Sequence, residues 1–369
     1  MNSILYNEKG VALVVTLAIV AILLATALQM GKFTGDSAME TLAYKDQFQA
    51  DQLALSGINI AAMILVDDAA KNDIDTVQEA WADPDKLLLA VNELKLEKDT
   101  LTIKITDELS KIQVNALLVE FPGNQINSDQ SRIWENFFRL RFLTDKSMDK
   151  RDPAEIINSL KDWLDSGDDD AVSGVSGAES DYYLDLDSPY ECANGPFDHI
   201  DELMNVKGIS KDLLKTEILD QADEPIDELE LSDVFTIYGL DLEKTGKGGF
   251  RYSGKVNINT AGVDVLAGLL PEGMEEFARD LADYRAQKSE EGDVFVNPLD
   301  KGWYKKVIDL SEKEQAWLDS AITYSSHIFK IECIARKNDA KTNLVAFLKR
   351  EKQKESGKWM FQIIQMERK

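Results

Sequence analysis

The chain opens on an uninterrupted apolar run. Residues 11–28 read VALVVTLAIVAILLATAL, with two threonines as the polar positions, and the charge-free stretch continues through Gln29, Met30 and Gly31. At about 1.5 Å per residue, some 20 helical residues cross the ~30 Å hydrocarbon core of a bilayer. A soluble helix is rarely apolar on every side. A cleaved secretory peptide has a shorter apolar region that ends in a small-residue cleavage site. Here a helical pattern continues instead: Met39, Leu42, Leu53, Ile60 and Ile64 recur at helical spacing through a polar stretch. One helix over 11–66 is expected, embedded in lipid over 11–31 and amphipathic beyond.

Residues 67–87 are polar, and Trp81-Ala82-Asp83-Pro84 reads as a helix breaker. Leu101, Ile103 and Ile105 then alternate with Thr102, Lys104 and Thr106, the period of a half-buried strand. From about Ala116 to Ala321 the periodicity is helical, as in Ile133, Phe137, Phe138 and Leu140, then Ile156, Ile157, Leu160, Trp163 and Leu164. Alternation returns at Ile328–Ile334 and Leu344–Leu348, and Trp359–Met366 suits a third strand. The predicted fold is α+β: an antiparallel sheet domain from 67–115 and 322–369, interrupted by a mostly helical insertion over 116–321. A doubly wound enzyme would alternate strand and helix throughout.

Charge narrows the function. Sixty-seven Asp and Glu against 41 Lys and Arg give a net charge of −26. Such a surface repels nucleic-acid phosphate and suits an extracytoplasmic body or a cation binder. The acid is densest in 165–187, DSGDDDAVSGVSGAESDYYLDLD, which holds eight carboxylates and no Lys or Arg. Ca²⁺ takes six to eight oxygen ligands and accepts flexible carboxylate loops. The spacing is not that of an EF-hand, and charge runs of this kind are more often solvated loops. Cys192 and Cys333 have no CxxC spacing, and His199 and His327 stand apart from them, so a thiolate zinc site is not expected. The two cysteines are either one disulfide or two buried thiols. G-x-S-x-G, Walker and HExxH motifs are all missing, so no enzyme is expected.

The junction Glu8-Lys9-Gly10 directly before Val11 resembles the type IV prepilin signal. That resemblance implies cleavage by a prepilin peptidase between Gly10 and Val11, methylation of Val11, and a single-pass inner-membrane protein with a periplasmic body. Most prepilins carry Glu at the fifth mature position; Val15 stands there. A carboxylate in lipid is costly without a partner amine, and a subunit with nothing above it has none. The departure is similar to the K minor pseudopilins of type II secretion.

Further segments carry the same resemblance: Lys111-Ile112-Gln113-Val114-Asn115, Trp163-Leu164-Asp165 with Gly177-Ala178-Glu179 and Tyr182-Tyr183, and Asn194-Gly195-Pro196-Phe197. It implies a subunit that caps the pseudopilus tip with other minor pseudopilins and supports export of secreted proteins. It also implies Ca²⁺ near the acidic loop, with Asp165, Glu179 and Asp181 as carried-over ligands and Asp168 or Asp170 replacing the motif position held by Gly167.

Two segments, Asp201–Ser210 and Val256-Asn257-Ile258-Asn259-Thr260-Ala261, resemble helix-hairpin-helix units, with Thr260 expected as a helix N-cap. The competing reading is therefore a DNA-binding receptor of a competence pseudopilus. Asp198, Asp201 and Glu202 around the first hairpin, and Glu272, Glu275 and Glu276 after the second, argue against a phosphate grip.

Overall fold

Helix α1 (Glu8–Lys71) runs for 64 residues without a break. The computed structural model describes residues 8–93, 100–144, 152–167, 172–214, 230–241, 248–292 and 294–369. From Val11 to Phe48 the large apolar side chains of α1 are 50–77% exposed, and the helix is long and apolar enough to cross a membrane. Its later half is buried on one face by Ala50, Ala54, Ile58, Ala61, Ala62 and Leu65. The buried stripe is therefore mostly alanine. Met39 and Leu42 stay exposed, and Leu53, Ile60 and Ile64 only flank the stripe. Small side chains let the helix axis lie close to the sheet, and close packing rewards shape fit as well as side-chain size.

Trp81-Ala82-Asp83-Pro84 starts a helix rather than ending one. Asp83 accepts from the backbone N–H groups of Asp85 (3.0 Å) and Lys86 (3.3 Å), and Pro84 occupies the first position of α2 (Pro84–Asn92). Proline is tolerated there because that N–H has no helical partner. Strand β1 (Leu101–Asp107) alternates buried and exposed as expected, and leads to the short β2 (Ile112–Gln113).

The insertion follows, with helices α3 (Ser128–Thr144), α4 (Pro153–Leu164), α5 (Ser180–Leu184) and α6 (Leu231–Val234). Next come four two-residue strands, β3 (Phe235–Thr236), β4 (Leu240–Asp241), β5 (Arg251–Tyr252) and β6 (Val256–Asn257). Helices α7 (Val263–Leu269), α8 (Phe277–Ala286) and α9 (Glu312–Ala321) complete it, ending at β7 (Ile322–Thr323). The short ladders β2–β3, β4–β5 and β6–β7 were not visible as alternation, because two residues make no period. The chain returns through β8 (Ile328–Lys337), β9 (Ala340–Lys352) and β10 (Trp359–Arg368). These three strands and β1 form one antiparallel sheet in the order β1-β8-β9-β10.

Two apolar cores result. One lies between α1 and the sheet and includes Ile58, Leu65, Trp81, Ile103, Phe329, Ile331 and Leu348. The other fills the insertion, where Trp134 stacks on Phe235 with ring centroids 4.6 Å apart. Cys192 sits in the second core and Cys333 in the first; both are free, and burial pushes each thiol up to about 12.

Buried polar groups join the two cores. Asp107, at the end of β1, accepts through Oδ2 from Ser326 Oγ (2.6 Å), Thr260 Oγ1 (2.6 Å) and Asn257 Nδ2 (2.8 Å). Thr260 is thus spent on Asp107, and the residue preceding α7 is Gly262. Asn115 has the same bridging role inside the insertion, donating to the carbonyls of Phe197 and Ile237, both at 3.1 Å.

Candidate functional site

Helix α4 is the platform of the acidic region. Asp152 caps it by accepting from Ala154 N at 2.9 Å, and Pro153 opens it. Ile156, Ile157, Leu160, Trp163 and Leu164 are buried on its inner face. Trp163 meets the Tyr183 ring edge-on at 5.2 Å, which draws α5 against the end of α4. Asp162, Asp165 and Glu179 are buried together there, each offering a carboxylate oxygen within 4.8 Å of the others.

The surrounding loop is shaped around Asp162. Both its oxygens accept from Ser173 N at 3.1 Å, and Oδ2 also accepts from Ala178 N at 2.9 Å. A Cβ on Gly177 would stand 2.0 Å from Asp162 Oδ2, so only glycine lets the loop pass this close. Lys161 Nζ donates to Asp165 Oδ2 at 2.8 Å and to Ser173 Oγ at 2.7 Å. Lys207 Nζ donates to the carbonyls of Ser176 (3.1 Å) and Gly177 (3.2 Å) and lies 4.7 Å from the Tyr182 ring centre.

Of the residues singled out from sequence, Asp165 and Glu179 are brought together and Asp181 is not: it is exposed on α5. Asp168 and Asp170 lie outside the described residues. Asp162 was missed because it interrupts an apolar helical stripe and reads as an outward polar position. Its one signal is the spacing of three residues to Asp165, which puts both at the same end of one helix. Asp162, Asp165 and Glu179 bring three buried carboxylates together, and Lys161 is paired with one of them, Asp165. Their hard oxygen donors fit Ca²⁺, which is bound at about 2.3–2.6 Å by such groups with carbonyls and water. Asp162, Asp165 and Glu179 are the residues that would hold it.

A second carboxylate group, Asp68, Asp75 and Glu79, already has its donors. Arg350 Nη1 donates to Asp68 Oδ2 at 3.3 Å and Nη2 to Asp75 Oδ1. Glu79 accepts from Thr76 N (2.9 Å), Trp81 Nε1 (2.8 Å) and Asn72 Nδ2.

The hairpin-like segments commit Lys207, Asn257 and Asn259 to contacts inside the insertion and its neighbours. Gly208 takes φ +89° in the first, and the Lys207 ammonium beside it is committed to the acidic loop. In the second, Asn257 and Asn259 are fully buried, and Asn259 Oδ1 accepts from Trp303 Nε1 at 2.7 Å. The Arg285 guanidinium donates to the carbonyls of Ile258 (2.6 Å) and Ala261 (2.8 Å). These groups hold the insertion together and are not presented to a phosphate backbone.

Parts of this chain are similar to known proteins. Residues 110–216 match the family profile of type II secretion system protein K, first domain. The type II secretion system protein K of Pectobacterium carotovorum subsp. carotovorum is 26% identical over 231 residues, 61% of this chain and 66% of that protein. The Klebsiella pneumoniae protein K is 25% identical over 207 residues, 55% of this chain and 59% of that protein. The chain thus matches somewhat less than two thirds of the length of these relatives. Among solved structures, a chain of the GspK-GspI-GspJ complex from enterotoxigenic Escherichia coli superposes with a TM-score of 0.58 at 16% identity, covering 89% of this chain and 99% of that one. The matched segment contains the Lys111–Asn115 and Trp163–Asp165 motifs and the buried carboxylates, so over residues 110–216 this chain is similar to type II secretion system protein K, and its fold is shared with the solved chain.

Proposed function

We propose that the chain is a minor pseudopilin that caps the tip of a type II secretion pseudopilus with other minor pseudopilins and so supports protein export. The observation that carries this reading is the single helix α1, lipid-suited at one end and packed on a pilin-like sheet at the other. Such a helix anchors the subunit in the inner membrane before assembly and offers an exposed rod to neighbouring helices afterwards. Prepilin peptidase cuts between Gly10 and Val11, and Val11 is then methylated. Val15 leaves the first turns of the mature helix without a carboxylate, which suits a subunit with no neighbour above. The insertion is the bulk that stops further addition. It acts by shape and contact and not by catalysis.

In this reading Ca²⁺ sits among Asp162, Asp165 and Glu179. It supplies positive charge that lets the carboxylates stay close, while Gly177 and the N–H groups of Ser173 and Ala178 set the loop over Asp162. The test of the class is N-terminal sequencing of the mature protein expressed with and without a prepilin peptidase. A peptidase-dependent start at Val11 supports the assignment. An uncut Met1, or a cut beyond the apolar run, removes it.

A further inference from the structure

Charge is strongly segregated along this chain. Residues 328–369 hold eleven Lys and Arg against five Asp and Glu, although the whole chain carries −26. The contacts of α1 show which end of the sheet much of this charge occupies. Asn338, in the β8–β9 turn, donates to Asp46 of α1 at 2.7 Å, and Gln47 donates to Thr342 at 2.7 Å. At the opposite end of the sheet, Arg350 reaches the carbonyl of Leu65. The β8–β9 turn therefore faces the N-terminal, lipid-suited end of the helix. Arg336, Lys337 and Lys341 flank that turn, and Lys369 stands beside them through its N–H bond to the Asn343 carbonyl at 3.0 Å. None of the four has a carboxylate partner among the described residues. Asp339 is the exposed carboxylate of the turn.

Two sources of negative charge could meet such a rim: an anionic lipid surface or the acidic face of a protein. Height decides between them. Fifteen residues of helix separate Asp46 from Gly31, about 22 Å at 1.5 Å per residue. That is more than twice the Debye length of about 8 Å at physiological salt, so an upright helix gains little from lipid charge. At the same height Tyr44 and Phe48 are 77% and 63% exposed, one helical turn apart. Paired exposed aromatics above the bilayer favour a protein partner over lipid.

We propose that this rim (Arg336, Lys337, Lys341 and Lys369), with Tyr44 and Phe48 at the same height on α1, is the seat of a neighbouring pilin-like subunit on the membrane side. That neighbour presents carboxylates to the rim. The inference rests on the pseudopilin reading and adds to it the face that is used and the charge of the partner.

The test uses the full chain in nanodiscs of zwitterionic lipid and the minor pseudopilins of its own secretion system, with affinity measured at low and high salt. Lys337→Glu with Lys341→Glu is expected to weaken association about tenfold at low salt and to flatten its salt dependence. Both positions border an exposed turn, so an unchanged melting temperature reports an intact fold. Lys337→Gln with Lys341→Gln should fall between the two. A double variant that binds like the wild type overturns the rim while leaving the pseudopilin reading intact. A wild type that binds none of these subunits at either salt overturns both. If the variant loses only retention on vesicles containing anionic lipid, the rim serves the membrane and the protein seat is wrong.

Discussion

Arg350 on β9 holds Asp75, a fully buried carboxylate in the segment that follows α1. The same guanidinium donates to the Leu65 carbonyl (2.9 Å), the Ser326 carbonyl (3.1 Å) and Asp68 (3.3 Å), and lies over the Phe329 ring at 4.8 Å. One side chain thus ties the end of α1 to the sheet and to the segment between β7 and β8 that leaves the insertion. Removing one partner of a buried pair leaves an uncompensated charge. Arg350→Met is expected to cost about 3–5 kcal/mol in chemical unfolding. Asp75→Asn added to it should recover part of that loss, because the orphan charge is then gone. A loss under about 1 kcal/mol for the single variant would contradict this role.

Acid should stabilise the fold near neutrality. Burial pushes Asp107 up to about 6, although four neutral donors favour its charged form. Burial also pushes Glu79 up to about 7. Both groups therefore bind a proton more tightly in the folded protein than at their ordinary values of 3.8 and 4.5. Their contribution is complete below the ordinary values and is lost as pH rises through about 6 and 7. The melting temperature should fall between pH 5 and pH 8, and Asp107→Asn should flatten that slope. Asp51 and Asp83 are shifted down, and their effect belongs to more acid solution. A melting temperature that rises over the same interval would refute the assignment.

The sheet was legible because alternation at Leu101, Ile103 and Ile105 reports a single buried face directly. The membrane-suited helix was legible from its missing charge. The packing face of α1 was not, because Ala50, Ala54, Ala61 and Ala62 carry little hydrophobic weight and matter by their size. The polar joint was illegible for a related reason. Asp107, Asn257, Thr260 and Ser326 read as surface or capping residues until the fold brings positions 150 to 219 apart into contact. The carboxylate site was half legible. Asp165 and Glu179 stood out through the family motif and local acidity, whereas Asp162 looked like the outer face of a helix.

Calcium should raise the melting temperature through three carboxylates and spare a fourth. Ligand at about 100 times its dissociation constant stabilises by roughly 2.7 kcal/mol. Asp162→Asn and Asp165→Asn are expected to abolish most of the shift on adding calcium to chelator-treated protein. Asp181→Asn should leave it unchanged, since Asp181 is exposed and outside the group. Equal loss in all three variants would point to diffuse screening of the acidic loop, and no shift in the wild type would dismiss the ion altogether.

Gly57 tests how closely α1 must approach the sheet. A Cβ there would stand 3.0 Å from both Cys333 Sγ and Leu101 Cδ1, tight against two buried side chains. Gly57→Ala gains about 1 kcal/mol of helix propensity, while crowding a packed core costs about 1–3 kcal/mol. The alanine variant should therefore change stability little. Gly57→Leu has no comparable offset and must push helix and sheet apart. It should lower stability by at least ~2 kcal/mol while the apolar N-terminal part of α1, exposed throughout, still inserts into membranes. Wild-type stability in Gly57→Leu would mean that the alanine face does not hold the helix at this distance.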